Sequence, residues 1–384
     1  MFHLLLAIIY LSFISLGLPD GLLGSAWPTI YPELEVPVSY AGILFAIISF
    51  CTVISSLLSD RLTLRLGPGK ITAVSVATTA LALFGFSVSQ SYWMLCLWAI
   101  PYGLGAGSVD ASLNNYVAIH YTSRHMSWLH CMWGVGATVG PYLMGCILSE
   151  GWHWTIGYRS IGIIQILLTV ILFLSLPLWK NRAPNRSEKQ QKKPLSFSQI
   201  LNIPGAKQIM IAFFCYCALE QTTALWAASY LTLHKGVPAE TAAYFSSLFF
   251  IGITAGRCLN GFLTFRFTDT QLIRMGQGIV AVGITALLLP MGQNVSLLGL
   301  ILIGLGCAPI YPCIIHSTPV HFTPEHSQAL IGVQMASAYI GSTTMPPLFG
   351  WIAEHIHVSV LPAYLLAILV LMAAMHEWML QKTA

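Results

Sequence analysis

Three carboxylates stand inside stretches that are otherwise apolar. Asp20 lies in GLPDGLLGSAWP (17–28), Asp110 in GLGAGSVDASLNNY (103–116) and Glu220 in FCYCALEQTTALW (214–226). An ionised acid at the centre of a bilayer costs roughly 2.5–3.5 kcal/mol, so each of these needs a partner, water or a proton. An acid that takes up a proton while facing one side and releases it facing the other can drive movement of a second solute. Asp110 and Asn114 are one helical turn apart and share a face, with Asn115 beside them. Gln221 adjoins Glu220 in the same way. For Asp20 two readings stay open, a cavity group or a cap for the break made by Pro19 and Gly21.

Further polar and aromatic groups accompany them. SWLHCMW (127–133) offers His130 and Trp133, and Gln334 adds an amide in a late apolar stretch. His130 is read either as a hydrogen-bonded interface residue or as a ligand for solute. Trp27, Trp133 and Trp226 carry faces able to stack on a sugar ring, although belt or lipid-facing duty suits Trp27 better. Arg257 is the strongly basic residue deepest inside an apolar stretch, which calls for an ion pair (Asp110 or Asp60 as partner), a substrate contact or snorkelling. His125 and His130 are five apart rather than four, so no zinc pair is expected, and no metal site or cofactor is indicated.

The elements that must hold these groups are helices. Charged residues make up 8% of the 384 residues against 56% hydrophobic ones, and the mean hydropathy is +0.74. A soluble domain of this size needs far more charge to cover its surface. Continuous apolar runs of spanning length recur along the chain, which excludes a transmembrane β-barrel. The expected spans are 3–28, 38–59, 70–89, 92–118, 127–149, 155–178, 207–232, 239–264, 271–290, 296–319, 328–353 and 358–380. The fold class is therefore an all-α membrane protein of twelve transmembrane helices in two pseudo-symmetric six-helix bundles. The expected organisation is an N-terminal bundle at 1–178, a polar basic linker at 179–206 and a C-terminal bundle at 207–384.

The nine cysteines all fall in spans without a CxxC pair, and read as small packing residues. The N-terminal run has no basic region and continues through Pro19 and Asp20, so it is read as a retained first helix. Arg61, Arg65, Lys70, Arg124, the 180–193 cluster, Arg266, Arg274 and Lys382 fall on one side. Glu33, Glu35, Glu150, Glu240 and Glu354 fall on the other, with only Lys235 and Arg159 as cations. Positive residues mark the cytoplasm, which puts both termini and the linker inside a plasma (inner) membrane. The net charge of +4 follows this topology rather than one face, so no nucleic-acid partner is expected.

The two halves repeat each other. GATVGPYLMG (136–145) and GSTTMPPLFG (341–350) share G-x4-P-x-L-x-G at matching places, and GLG recurs at 103 and 304. SLLSDR (56–61) and GFLTFR (261–266) end corresponding helices. The repeat sets Tyr311 opposite Asp110 and His316 opposite Asn115, and Pro309 with Pro312 predicts a broken, bendable helix there. Asp60 and Arg61, with Arg266 at the matching helix end, are read as an inner gate. Parallel repeats of this kind place a solute site at the midplane between the halves.

This layout, the basic central linker and SLLSDRLTLRLG (56–67) resemble the major facilitator superfamily. AGRCLNGFLTFRF (255–267), APIYPCIIHS (308–317) and TMPPLFG (344–350) resemble its fucose/proton symporter branch. The resemblance implies that helices 1, 4, 7 and 10 line a central cavity and that the acid on helix 4 is functional. By spacing to Pro28, the family's helix 1 acid falls at Gly24, whereas this chain offers Asp20. The expected activity is proton-coupled import of a sugar or similar polar solute by alternating access, with sodium as the other possible coupling ion. Proton-driven efflux of drugs or metabolites is the alternative, on the partial likeness of GATVGP to the antiporter motif. Asp110, Glu220 and Asp20 are the coupling candidates; Asn114, Asn115, Gln221, Tyr311, His130, Trp133, Gln334 and His316 are the solute-binding ones. No HExxH or GxSxG motif suggests an enzyme. Such a fold needs no oligomer, so a monomer is expected.

Overall fold

The computed structural model describes residues 2–120, 123–179, 197–290 and 292–383. The side chains of Asp60, Arg61, Asn115 and Arg124 and of residues 323–329 lie outside the described residues, as does the 180–193 basic cluster. Among the described residues there is no strand, and the chain folds as twelve membrane-spanning helices in two bundles of six.

The first span is two helices, α1 (Phe2–Gly17) and α2 (Leu22–Glu33), rather than one ending at 28. Pro19 and Gly21 interrupt the ladder between them, and α2 then carries Pro28 and Pro32 without a further break. The rest of the first bundle is α3 (Tyr40–Leu66), α4 (Pro68–Ser87), α5 (Tyr92–His120), α6 (Ser123–Ser149) and α7 (Trp154–Trp179). Pro68 opens α4, where a missing N–H costs nothing, after Gly67 at φ 81°. A short α8 (Phe197–Leu201) precedes the second bundle of α9 (Ala206–Leu233), α10 (Ala239–Leu263), α11 (Asp269–Leu288), α12 (Gln293–His355) and α13 (Leu361–Thr383).

Helix α12 holds two spans that the sequence places at 296–319 and 328–353. The Thr318 hydroxyl donates to Gln334 Oε1 at 3.2 Å, and the Tyr311 hydroxyl donates to Met335 Sδ at 3.3 Å. In a straight helix residues 318 and 334 stand about 24 Å apart, so the segment doubles back between them without leaving helical backbone. It also runs unbroken through Pro309 and Pro312, against the expected break. A proline removes one ladder bond; here close packing, such as Pro309 against Gly276, holds the helix on course.

Within the bundles small residues set the spacing. A Cβ on Gly103, Gly105 or Gly107 of α5 would run into Ile48, Thr79 and Thr52 of α3 and α4, so this glycine run is a helix-packing face. Hydroxyl and amide pairs add interhelical bonds, among them Ser55–Ser108 and Ser15–Gln165. Across the bundles α6 packs on α10, α3 on the second arm of α12, and α2 on α9. At the ends away from the linker this contact is tight. Gly42 lies against Pro347, and the Ser149 and Tyr244 hydroxyls are 3.1 Å apart.

Candidate functional site

Asp20 sits in the turn between α1 and α2, with its backbone N–H bonded to the Gly17 carbonyl. Its side chain does not cap α2, whose N-cap is Gly21 with no side-chain bond. The carboxylate instead accepts the Trp133 indole N–H at 2.7 Å and is solvent-exposed. With the far ends of the bundles in contact, an exposed acid between them is reached from the linker side. Gly24, where the family pattern would set the acid, cannot carry one. A Cβ there would stand 2.6 Å from the Ala224 carbonyl oxygen of α9.

The Trp133 ring, on α6, has Arg257 of α10 over its face at 4.9 Å and Phe250 at its edge. Arg257 Nη2 is 3.9 Å from Oε1 of the buried Glu220 on α9. Among the described residues the partner of Arg257 is thus Glu220 rather than Asp110, and Asp60 lies outside the described side chains; α9 and α10 belong to one bundle and bring the two together. At an effective dielectric near 20 this separation is worth about 4 kcal/mol of attraction, set against the cost of desolvating both ions. Cation–π contact adds about 0.5–2 kcal/mol. Asp20, Trp133, Arg257 and Glu220 therefore form one chain of contacts, two members from each bundle.

Asp110 lies on α5, half-buried, and accepts the Asn114 amide at 2.8 Å. The Asn114 carbonyl oxygen is buried without a hydrogen-bond partner. Asp110 lies within electrostatic reach of Asp20, Tyr311 and Tyr339. Tyr311 is half-buried and packs on Phe213 and Tyr216, with ring centroids at 5.0 and 6.0 Å. His130 meets Phe13 edge-on and lies within reach of the Arg257 charge. Gln221 is half-buried on α9.

Other candidates stand elsewhere. His316 is largely exposed and its Nδ1 lies 2.7 Å from Asp269 at the start of α11, so it leaves the cavity. Five residues separate it from Tyr311, which on a helix turns it to another face. Gln334 is fully buried between the two arms of α12, its Oε1 taken by Thr318, and it faces protein rather than cavity. Arg266 is exposed just beyond α10. The gate residues Asp60 and Arg61, and Asn115, fall among the undescribed side chains. Trp27 is fully buried and donates to the Val38 carbonyl, and Trp226 likewise to Pro346, so neither offers a face to lipid or to a solute.

Two tyrosines escape the sequence reading. Tyr216 is buried with its hydroxyl unpartnered, near Glu220, and Tyr339 lies within electrostatic reach of Asp110. Tyr216 stands four residues before Glu220, a spacing that puts both on one face and could have flagged it. Nothing in the local sequence marks Tyr339. Among the described residues no three His, Cys, Asp or Glu side chains converge as a metal site.

A twelve-helix, two-bundle membrane protein with a midplane polar cluster is a transporter architecture. The family profile of the Major Facilitator Superfamily matches residues 9–318 and 209–383, and the chain belongs to that family of transporters. Among its relatives, Bypass of stop codon protein 6 of Saccharomyces cerevisiae is 24% identical over 288 residues, covering 67% of this chain and 56% of that one. The glucose/mannose transporter GlcP of Bacillus subtilis is 23% identical over 290 residues, covering 73% of this chain and 70% of that one. The crystal structure of a D-xylose-proton symporter superposes with a TM-score of 0.76 at 13% identity, over 99% of this chain and 97% of that one. At that identity the superposition speaks for the fold alone.

Proposed function

We propose that this chain is a proton-coupled secondary transporter that imports a sugar or similar polar solute by alternating access. The observation that carries the reading is the contact chain from Asp20 through Trp133 and Arg257 to Glu220, which joins an exposed acid to a buried one across the two bundles. A proton or a solute arriving at Asp20 alters the hold of Trp133, on which Arg257 rests, and so reaches the Glu220 pair. Asn114, Gln221 and Tyr311 supply amides and a hydroxyl for a hydroxylated solute, with Tyr339 beside Asp110. The similarity to GlcP favours a sugar. In this reading the protein is a monomer in the inner membrane, both termini and the linker face the cytoplasm, and H⁺ is the coupling ion.

The test adds candidate sugars to de-energised cells and records external pH. Alkalinisation on one addition supports the reading and names the solute. Accumulation that follows sodium and leaves pH unchanged overturns the coupling ion, and dye sensitivity of a deletion strain with unimpaired sugar uptake overturns import. Asp110→Asn is expected to abolish uphill uptake while exchange of solute persists. Uphill uptake at the parent rate removes Asp110 from coupling.

A further inference from the structure

Two of the nine cysteines face each other across the seam between the bundles. Cys131 of α6 and Cys258 of α10 place their Sγ atoms 3.0 Å apart. The seam is antiparallel and continues from them toward the far end: Gly134 faces Thr254 one turn further along, and Gly145 and Ser149 meet Tyr244 beyond it. Gly134 lets the helix axes approach, which is what brings two short side chains into contact. Cys131 is buried and Cys258 is exposed. Cys131 is two residues from Trp133, and Cys258 follows Arg257 directly.

We propose that this thiol pair is an oxidation site for hydroperoxides, and that closing it stops the bundles from rocking. The exposed Cys258 sulfur attacks the peroxide O–O bond; its proton goes with the departing hydroxide as water, leaving a sulfenic acid. The Cys131 sulfur then attacks that sulfur, the S–O bond breaks, and a second water leaves with the Cys131 proton. Two thiols and one hydrogen peroxide thus yield one disulfide and two waters. In a reducing compartment such a bond is transient, as suits a sensor rather than a staple. The bond fixes α6 to α10 in one register beside Trp133 and Arg257. Those two residues must shift against each other if the bundles exchange the open side, so the crosslink holds the cavity in its present state. The effect on turnover rests on the transport reading; the crosslink itself does not.

The experiment places a protease site within 184–196, treats membranes with hydrogen peroxide, cuts, and runs non-reducing gels. The halves are expected to migrate together in the parent and apart in Cys131→Ser and in Cys258→Ser. Separation in the parent, or joined halves in either variant, overturns the site. In the uncut protein, peroxide should slow solute uptake several-fold, with recovery on adding dithiothreitol, and leave both variants unaffected. Uptake unchanged in a crosslinked parent overturns the block. Absence of uptake before peroxide counts against the transport reading and leaves the gel result standing.

Discussion

Asp20 and Glu220 lie on the first spans of the two bundles, yet their surroundings are opposite. Asp20 lies in a helix break, is open to the cavity and is held by a neutral indole N–H. Glu220 lies in the unbroken α9, is buried and faces a guanidinium. An exposed carboxylate with one neutral donor exchanges its proton with water at little cost to the fold. A buried carboxylate beside its cation cannot change charge without leaving Arg257 uncompensated. Acids on the first spans of the two bundles therefore stand in opposite environments. On the proposed transport reading, Asp20 is the site that meets the proton or solute and Glu220 the one that balances charge.

The largest effect should come from moving the N-terminal acid to where the family pattern puts it. Gly24→Asp drives a side chain into the α9 backbone at Ala224, so the protein should fail to accumulate in membranes. Normal accumulation would mean that the α2–α9 contact is looser than described. Next, Glu220→Gln should lower stability by about 3 kcal/mol or more, seen in thermal unfolding in detergent, because it strands a cation. Asp20→Asn keeps an acceptor for Trp133 and should unfold within about 1 kcal/mol of the parent while losing coupled uptake. Equal destabilisation by the two would erase the distinction drawn between them. The smallest effect on uptake belongs to Trp133→Phe, which keeps a ring under Arg257 but removes the N–H. Stability should fall by about 1 kcal/mol, in line with one lost hydrogen bond to an exposed ion. Uptake should lose its coupling more than its affinity, read as a fall in accumulation ratio at constant half-saturation.

Much of the fold was legible because apolar run length reports on bilayer thickness, and the Asp110–Asn114 contact was legible because it lies within one helical turn. The failures share a cause. Hydropathy locates a helix without saying which face meets which neighbour, so Trp27 read as a belt aromatic and Trp226 as a sugar-stacking face when their indoles are bonded inside. The repeat assigned His316 by linear offset and residue type alone suggested Gln334, whereas facing in a helix depends on rotation. The partner of Arg257 depends on how α9 and α10 pack, which no local pattern encodes. Turn residues did mark the break at Pro19 and Gly21, but Pro309 and Pro312 produce none, because packing prevails there.

The doubling back of α12 has a mechanical consequence. Its first arm carries Tyr311 beside the cavity, and its second carries Pro347 against Gly42 of the opposite bundle. Because helical backbone continues around the bend, the two arms act like a bell crank. On the proposed transport reading, a solute pressing on Tyr311 would deliver its force to the closure at Gly42, on the membrane face opposite the linker.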